Sequence, residues 1–213
     1  MLPSLIPEPR NTPRGAALEK LQNFLIDHAL EGRPVLVLQC APRVTQRFEV
    51  DGVSVLRAML NGACRQLHGA WWLGFMGSAS PVKVFDGLRS GGTTTVQGWG
   101  TEFHADGRVI AGIQADARSS NPQAIFGAIT MAFADFARLT VSLYEAIKFS
   151  GEVVITAALV GCKDLPVHRN PNRAPTGTTL SRNFYEWPLE SADGHQAIEE
   201  ACKRMEDKLE RLF

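Results

Sequence analysis

The stretch Thr101–Gly161 constrains the fold most, because it predicts three consecutive elements of secondary structure. Asp106-Gly107 separates two strand-like runs, and this dipeptide favours the positive φ angles of a tight primed hairpin turn. Asn121-Pro122 is typical of a helix start, with an N-cap residue followed by proline at the first helical position. The run Val153–Val160 is almost entirely apolar, which indicates a strand covered on both faces.

Similar patterns predict the remaining elements. Apolar residues at helical spacing predict helices over Pro13–Leu30, Phe48–His68, Pro122–Lys148 and Asp193–Phe213. Apolar or β-branched runs predict strands over Pro34–Cys40, Ala70–Met76, Pro81–Leu88, Thr93–Trp99 and Asn183–Leu189. The segments Ser90-Gly91-Gly92 and Gly98-Trp99-Gly100 are predicted to form turns between strands, because neither fits a phosphate-binding glycine motif.

Together these elements predict one α+β domain over residues 14–213, preceded by a proline-rich lead-in over residues 1–13. We expect a mixed, largely antiparallel sheet of about six strands, with the helices mainly on one face. The chain is long enough for one sizeable hydrophobic core.

The balance of charge narrows the classes of function. The chain carries 22 basic and 22 acidic side chains, which argues against a surface devoted to nucleic acid or anionic membrane but leaves room for a local basic patch. The four cysteines lack the close pairs of a zinc site, so we expect buried, reduced thiols in a cytoplasmic protein without a metal or cofactor. Charged residues interrupt the apolar run Ala124–Ile147, which therefore predicts a core helix rather than a membrane span.

A basic loop is the first candidate binding site. Its cationic residues outnumber a single acid, Asp164, and they are Lys163, His168, Arg169, Arg173 and Arg182. Arginine side chains bind phosphate oxygens in pairs, so this loop predicts binding of a nucleic acid or a nucleotide. The alternative is a solvated loop whose charges serve solubility alone.

Glu102, His104 and Asp106 form a second candidate, an acid–base set for a hydrolase or transferase. Side chains alternate along a strand, so Glu102 and His104 share one face while Asp106 belongs to the turn. We therefore favour a surface histidine and a turn-forming aspartate over a catalytic site. The sequence has neither a G-x-S-x-G nucleophile elbow nor an H-E-x-x-H metal motif, and no catalytic residue is assigned.

The last predicted helix carries a candidate self-association surface. Its apolar residues follow the four–three spacing of a coiled-coil seam and are Ile198, Cys202, Met205, Leu209 and Leu212, with Phe213 directly after them. This pattern predicts a homo-oligomer or a partner protein docked on the helix. An apolar end of this kind also suits a domain of a longer protein.

A family resemblance rests on four parts of the chain: the Phe103–Val109 hairpin, the helix ending near Phe149, the strand Val153–Gly161 and the final helix Ala197–Phe213. In this order they resemble the region that follows the DNA-binding domain in bacterial Schlafen/AlbA-type proteins, which are often labelled ATP-binding or helix-turn-helix. The resemblance covers about the last half of the chain and implies a larger bacterial protein or system. The AlbA-type domain and its acidic residues have no counterpart here, so the resemblance assigns no catalytic residue.

The leading hypothesis from the sequence is a non-catalytic regulatory, sensing or self-association domain. Nucleic-acid or nucleotide binding through residues 163–182 is the first alternative. An unrecognised hydrolase or transferase site near Glu102 is the second. No association with membranes is expected.

Overall fold

The computed structural model describes residues 13–32, 34–61, 81–84, 86–93, 98–114, 122–164 and 180–212. Four helices lie in this part of the chain: α1 (Pro13–Asp27), α2 (Val53–Asn61), α3 (Pro122–Ala146) and α4 (His195–Leu212). The strands are β1 (Val35–Pro42), β2 (Val82–Val84), β3 (Gly87–Thr93), β4 (Gly98–His104), β5 (Val109–Gln114), β6 (Glu152–Val160), β7 (Phe184–Glu186) and β8 (Glu190–Asp193).

These strands form one sheet with the order β2-β3-β4-β5-β1-β6-β7, and β8 also pairs with β6. Every pairing between them is antiparallel. Strand β1 lies in the middle, where Val37 pairs with Gly112 of β5 on one side and with Ala158 of β6 on the other. The predicted α+β class with a largely antiparallel sheet is confirmed, and the described residues contain eight strands instead of about six.

The larger hydrophobic core lies on the sheet face covered by α2, α3 and α4. Alternate residues of β1 point into it, namely Leu36, Leu38 and Cys40. Helix α3 contributes Phe133 and Tyr144, whose side chains are fully buried. Three of the four described helices pack on this face, which confirms the prediction that the helices lie mainly on one side.

A smaller core lies on the opposite face, beneath α1. The other set of alternate β1 residues, Val35 and Val37, points into this core. Helix α1 covers them with Leu21, Phe24 and Leu25. None of the described members of the larger core belongs to α1. Helix α1 is therefore attached to the sheet separately from the other three helices.

The hairpin predicted at Asp106-Gly107 is confirmed, but its turn is not of the primed type. Of the two residues, only Gly107 has a positive φ, of 80°. The Gly107 amide donates to the His104 carbonyl (2.9 Å), and the His104 amide donates to the Arg108 carbonyl (2.9 Å). This pattern is a type I turn followed by a left-handed glycine. The Asp106 carboxylate accepts a hydrogen bond from the Arg108 amide (3.0 Å), as expected of a turn-forming aspartate.

The two glycine segments lie within strands, and the prediction that they form turns is wrong. Ser90-Gly91-Gly92 belongs to β3, and Gly98-Trp99-Gly100 belongs to β4. The two strands pair with each other, with Gly91 opposite Gly100. Small residues are needed here because the side chain of His28, the residue directly after α1, packs on this part of the sheet.

Several element boundaries also differ from the predictions. Helix α2 begins at Val53 rather than Phe48, because the Phe48 amide instead donates to the Ala105 carbonyl (2.7 Å). Helix α1 ends at Asp27, and Ala29 then adopts a left-handed φ of 51°. The predicted strand Ala70–Met76 lies outside the described residues. None of the helices in the described ranges is long and apolar enough to cross a membrane.

Candidate functional site

A buried carboxylate between two imidazoles is the most concentrated polar cluster among the described residues. Oε1 of Glu102 lies 3.0 Å from Nε2 of His28, and Oε2 of Glu102 lies 2.8 Å from Nε2 of His104. The side chains of Glu102, His28 and His104 are 10%, 4% and 17% exposed. Both carboxylate oxygens are therefore occupied by histidine donors, away from bulk water.

Alternation of side chains along β4 places Glu102 and His104 on the same face of the sheet, as the sequence predicts. Glu102 and His104 are two positions apart on β4 and face the α1 side of the sheet, whereas Trp99 and Phe103 point into the larger core. His104 is largely buried, so the prediction of a surface histidine is wrong. Asp106 lies in the turn and pairs with Arg108 (2.7 Å) rather than with the two histidines.

The third residue, His28, directly follows the last residue of α1, Asp27. Its amide donates to the Phe24 carbonyl (3.2 Å), and the following Leu30 amide donates to the Leu25 carbonyl (2.9 Å), so the chain turns tightly here. The rings of Phe24 and His28 lie 4.7 Å apart.

Glycines make the room that α1 needs on the sheet. A Cβ atom at Gly91 would lie 2.6 Å from Nδ1 of His28, and one at Gly100 would overlap the same ring. Further along the helix, a Cβ atom at Gly112 would lie 2.6 Å from the Phe24 ring. His28 was not predicted from the sequence, because its partner Glu102 is 74 residues away. The sequence feature that could have indicated this contact is the pair of glycines, Gly91 and Gly100, which lie opposite each other in adjacent strands.

Charged groups surround the open end of this His28–Glu102–His104 cluster. Nδ1 of His104 lies 3.4 Å from Oδ1 of Asp86, whose side chain is 60% exposed. Arg89 of β3 is paired directly across from Glu102. Lys20 of α1 lies close enough that burial, and then the positive charge of Arg108, lowers the pKa of its ammonium group. The cluster thus runs from solvent at Asp86 to the buried His28.

Opposing effects set the pKa values of the cluster. Burial by itself raises the pKa of Glu102, but the hydrogen bonds and charges of His104 and His28 outweigh it and lower that pKa to about 2. Burial lowers the pKa of His104, but the hydrogen bond to Glu102 and the charges of Glu102 and Asp86 outweigh it, so this pKa is raised. The geometry therefore favours an ionised Glu102 and a protonated His104.

This arrangement suits attachment of α1 better than acid–base catalysis. Both oxygens of Glu102 accept bonds from histidines, and both ring nitrogens of His104 face carboxylates. A general acid or base needs a free position directed at its substrate. A cleft of about 580 Å³ lies nearby, with Asp86 in its lining, but the cleft reaches the cluster through that one exposed carboxylate.

The ends of the predicted basic loop meet at the edge of the sheet. The Gly161 amide donates to the Asn183 carbonyl (2.8 Å), and the Asp164 amide donates to the Leu180 carbonyl (2.9 Å). Cys162 and Leu180 are buried in the larger core. The candidate residues Lys163 and Arg182 are exposed beside this base, whereas His168, Arg169 and Arg173 lie outside the described residues.

Three residues of the predicted self-association surface are buried in the core of the same chain. Ile198, Cys202 and Met205 are each at most 1% exposed and belong to the larger core of the same chain. Nε1 of Trp187 donates to the Met205 carbonyl (3.0 Å), which fastens α4 to the segment between β7 and β8. Leu209 and Leu212 lie within α4, and Phe213 lies outside the described residues. These three buried residues are unavailable to a partner while α4 is packed.

Among the residues that the structure describes, no group of three or more histidine, cysteine, aspartate or glutamate side chains is arranged to hold a metal ion. The three cysteines in this part of the chain are free and buried. Neither a scan of protein-family models nor a search of curated proteins finds a match to this chain.

Proposed function

We propose that this chain is a non-catalytic regulatory or sensing domain whose responsive element is helix α1. The observation that carries the proposal is the separate attachment of α1: a small apolar core and a buried polar contact between Glu102 and His28, the residue directly after α1, join it to the sheet. The other three helices share a larger core with the opposite face. In keeping with the family resemblance, the domain would act as part of a larger bacterial protein.

The two cores differ in what opening them would cost. Release of α1 exposes Leu21, Phe24 and Leu25 and uncouples His28, but it leaves the residues of the larger core packed. Segments held by few buried contacts open with a lower free energy than the whole domain. The proposal assigns the responsive role to α1 rather than α4, because Ile198, Cys202 and Met205 of α4 are buried in the larger core.

Native-state hydrogen exchange on the full chain tests this proposal. We expect the amides of α1 to exchange through a local opening whose free energy lies below that of global unfolding, while those of α3 and β6 exchange only with global unfolding. Phe24→Ala should lower the opening free energy of α1 further, whereas Val55→Ala, in the larger core, should lower global stability instead. The proposal fails when α1 and α3 exchange with the same free energy in the wild-type protein.

Nucleic-acid binding is a second candidate function, favoured by how the base of the basic loop is built. Two buried residues, Cys162 and Leu180, anchor that base, and the exposed Lys163 and Arg182 flank it. Such an anchored loop can present positive charge to phosphate groups.

A labelled single-stranded oligonucleotide tests this second candidate. We expect binding at low salt that weakens steeply as salt is added, and that Arg182→Ala reduces. Arg57→Ala serves as the control, because Arg57 is also an exposed arginine but lies on α2. Equal binding by the two variants, or absence of binding at low salt, would exclude the basic loop as the binding surface.

A further inference from the structure

Helix α1 is joined to the sheet by one covalent connection in the described chain, residues 28–34, which leads from Asp27 to Val35. Its described contacts with the sheet are noncovalent, so a second molecule of the same protein can supply them. We propose that α1 is exchanged between two copies of this chain, so that α1 of each copy packs on the sheet of the other, with Gly32 as the hinge. This inference rests on the proposed function, because exchange requires α1 to leave its own sheet.

The part of the sheet that holds α1 fits the side chains of this helix and of the residue after it. A Cβ atom at Gly100 would lie 2.4 Å from the His28 ring, and one at Gly112 would lie 2.6 Å from the Phe24 ring. Oε1 of Glu102 lies 3.0 Å from Nε2 of His28. Because a second copy of the chain presents the same residues, its α1 is the partner that fits this surface.

Release of α1 leaves two complementary surfaces without a partner. The helix then exposes Leu21, Phe24 and Leu25, while the larger core on the other face of the sheet stays packed. Two molecules in this state can bury both helices by exchanging them. The exchanged dimer contains the same contacts between α1 and the sheet as two separate monomers. Its population is therefore decided by the protein concentration and by the conformation of the connection between α1 and β1.

The hinge lies at Glu31-Gly32, just after the part of the connection that is packed with α1. The Leu30 amide donates to the Leu25 carbonyl (2.9 Å), and the Leu30 side chain is fully buried in the smaller core. Glu31 and Gly32 are exposed and lie in a turn. Gly32 has a left-handed φ of 79°, and a Cβ atom there would have no described atom within 4 Å beyond the adjacent residues. Gly32 thus directs the chain through its backbone conformation alone.

Gly32→Ala in the full chain tests the hinge. Alanine rarely adopts a left-handed φ, so this change strains the turn that returns α1 to its own sheet but does not strain an open hinge with a negative φ. We expect the dissociation constant of the dimer to fall about tenfold or more from the wild-type value. Size-exclusion chromatography with light scattering, on samples incubated to equilibrium over a range of concentrations, measures this constant.

Gly194→Ala is the matched control for Gly32→Ala. Gly194 also has a left-handed φ, of 82°, and a Cβ atom there would likewise have no described atom within 4 Å. It precedes α4 rather than β1, so alanine at this position strains the backbone without affecting the connection to α1. We expect Gly194→Ala to lower the free energy of unfolding and to leave the dissociation constant of the dimer unchanged.

A mixture of two variants tests whether the dimer forms by exchange of α1. Both chains carry Gly32→Ala, and one also carries Gly100→Ala while the other carries His28→Ala. In an exchanged heterodimer the His28 ring meets Gly100 and the shortened side chain meets the new methyl group, so neither site has a clash. Native mass spectrometry of an equal mixture should therefore show more heterodimer than the half expected of random pairing. Gly112→Ala with Phe24→Ala repeats the test at a second contact, in case Gly100→Ala does not fold.

The outcomes separate the exchange of α1 from the proposed function. Enhanced dimerisation of Gly32→Ala together with preferential heterodimers supports the exchange. A monomeric Gly32→Ala variant, equal dimerisation of Gly194→Ala, or random pairing in the mixtures overturns the exchange. Local opening of α1 in the hydrogen exchange of the monomer would still support the proposed function in each of those cases. Exchange of the α1 amides only through global unfolding overturns the proposed function instead.

Discussion

Gly91 lies directly opposite Gly100 in the ladder between β3 and β4, and the imidazole of His28 fills the space that side chains at these positions would occupy. The buried hydrogen bond between His28 and Glu102 (3.0 Å) is possible only because this space exists. The two glycines are thus structural partners of His28, although neither of them is polar. This relationship links local backbone composition to the attachment of a helix that begins far away in the sequence.

Gly100→Ala should destabilise the protein, because the new methyl group would overlap the His28 ring. Overpacking of a buried site costs about 1–3 kcal/mol in the free energy of unfolding, which urea denaturation measures. The matched control is the same substitution in a His28→Ala background, where the ring is absent and the cost should be much smaller. An equal cost in both backgrounds would show that the clash with His28 is not its source.

Glu102→Gln should lower the free energy of unfolding by about 1–3 kcal/mol near neutral pH, because two buried imidazoles lose their charged acceptor. Chemical denaturation provides the measurement. Glu145→Gln is the control, since Glu145 also lies near a histidine, His195 (3.8 Å), but is 63% exposed. Exposed pairs contribute about 0–1 kcal/mol, so equal effects of the two substitutions would contradict the importance of the buried cluster.

The loss of unfolding free energy at acidic pH should depend on the protonation of Glu102. Its pKa is lowered to about 2 in the folded protein, so the stability it contributes is present above pH 4.5 and disappears as the pH falls towards 2. The difference in unfolding free energy between wild-type and Glu102→Gln proteins should therefore shrink as the solution is acidified. A difference that stays constant over this range would mean that the ionised carboxylate does not stabilise the fold.

Trp187→Phe should weaken the attachment of α4, because the buried indole N–H donates to the Met205 carbonyl (3.0 Å) and phenylalanine has no donor. The Met205 carbonyl lies within α4 and keeps its helical partner, so loss of the indole bond should cost about 0.5–1.5 kcal/mol, measured as a loss of unfolding free energy. Tyr185→Phe is a suitable comparison, since Tyr185 is half-buried on the adjacent β7 and its loss of a hydroxyl should change stability by about 0.5 kcal/mol at most. Similar losses for both variants would argue against this hydrogen bond.

Local patterns were sufficient for much of the secondary structure. Helix α3 begins at Pro122 as its N-cap signal predicts, and β6 occupies Glu152–Val160 as its apolar run predicts. The glycine segments were misassigned because glycine in a strand and glycine in a turn look alike in a sequence. The pairing of β3 with β4 places both segments in strands, and the side chain of His28 then packs on Gly91 and Gly100.

The candidate site was predicted in part. Glu102 and His104 were expected on one face because alternation along a strand is a local rule. Their burial was not expected, because it depends on where α1 packs. The seam of α4 shows the same limit: its spacing predicts an apolar stripe, but Ile198, Cys202 and Met205 cover the chain's own sheet and α3 rather than a second molecule.

The sequence by itself determined the hairpin, the long helix, the apolar strand and the alternation along β4, because each depends on neighbouring residues and on turn, cap or periodicity preferences. The tertiary structure alone decided that His28 meets Glu102 across 74 residues. It also decided that α1 closes one face of the sheet separately from the other helices. These outcomes depend on which distant surfaces fit together, and shape and charge complementarity between distant segments are not encoded in any local pattern.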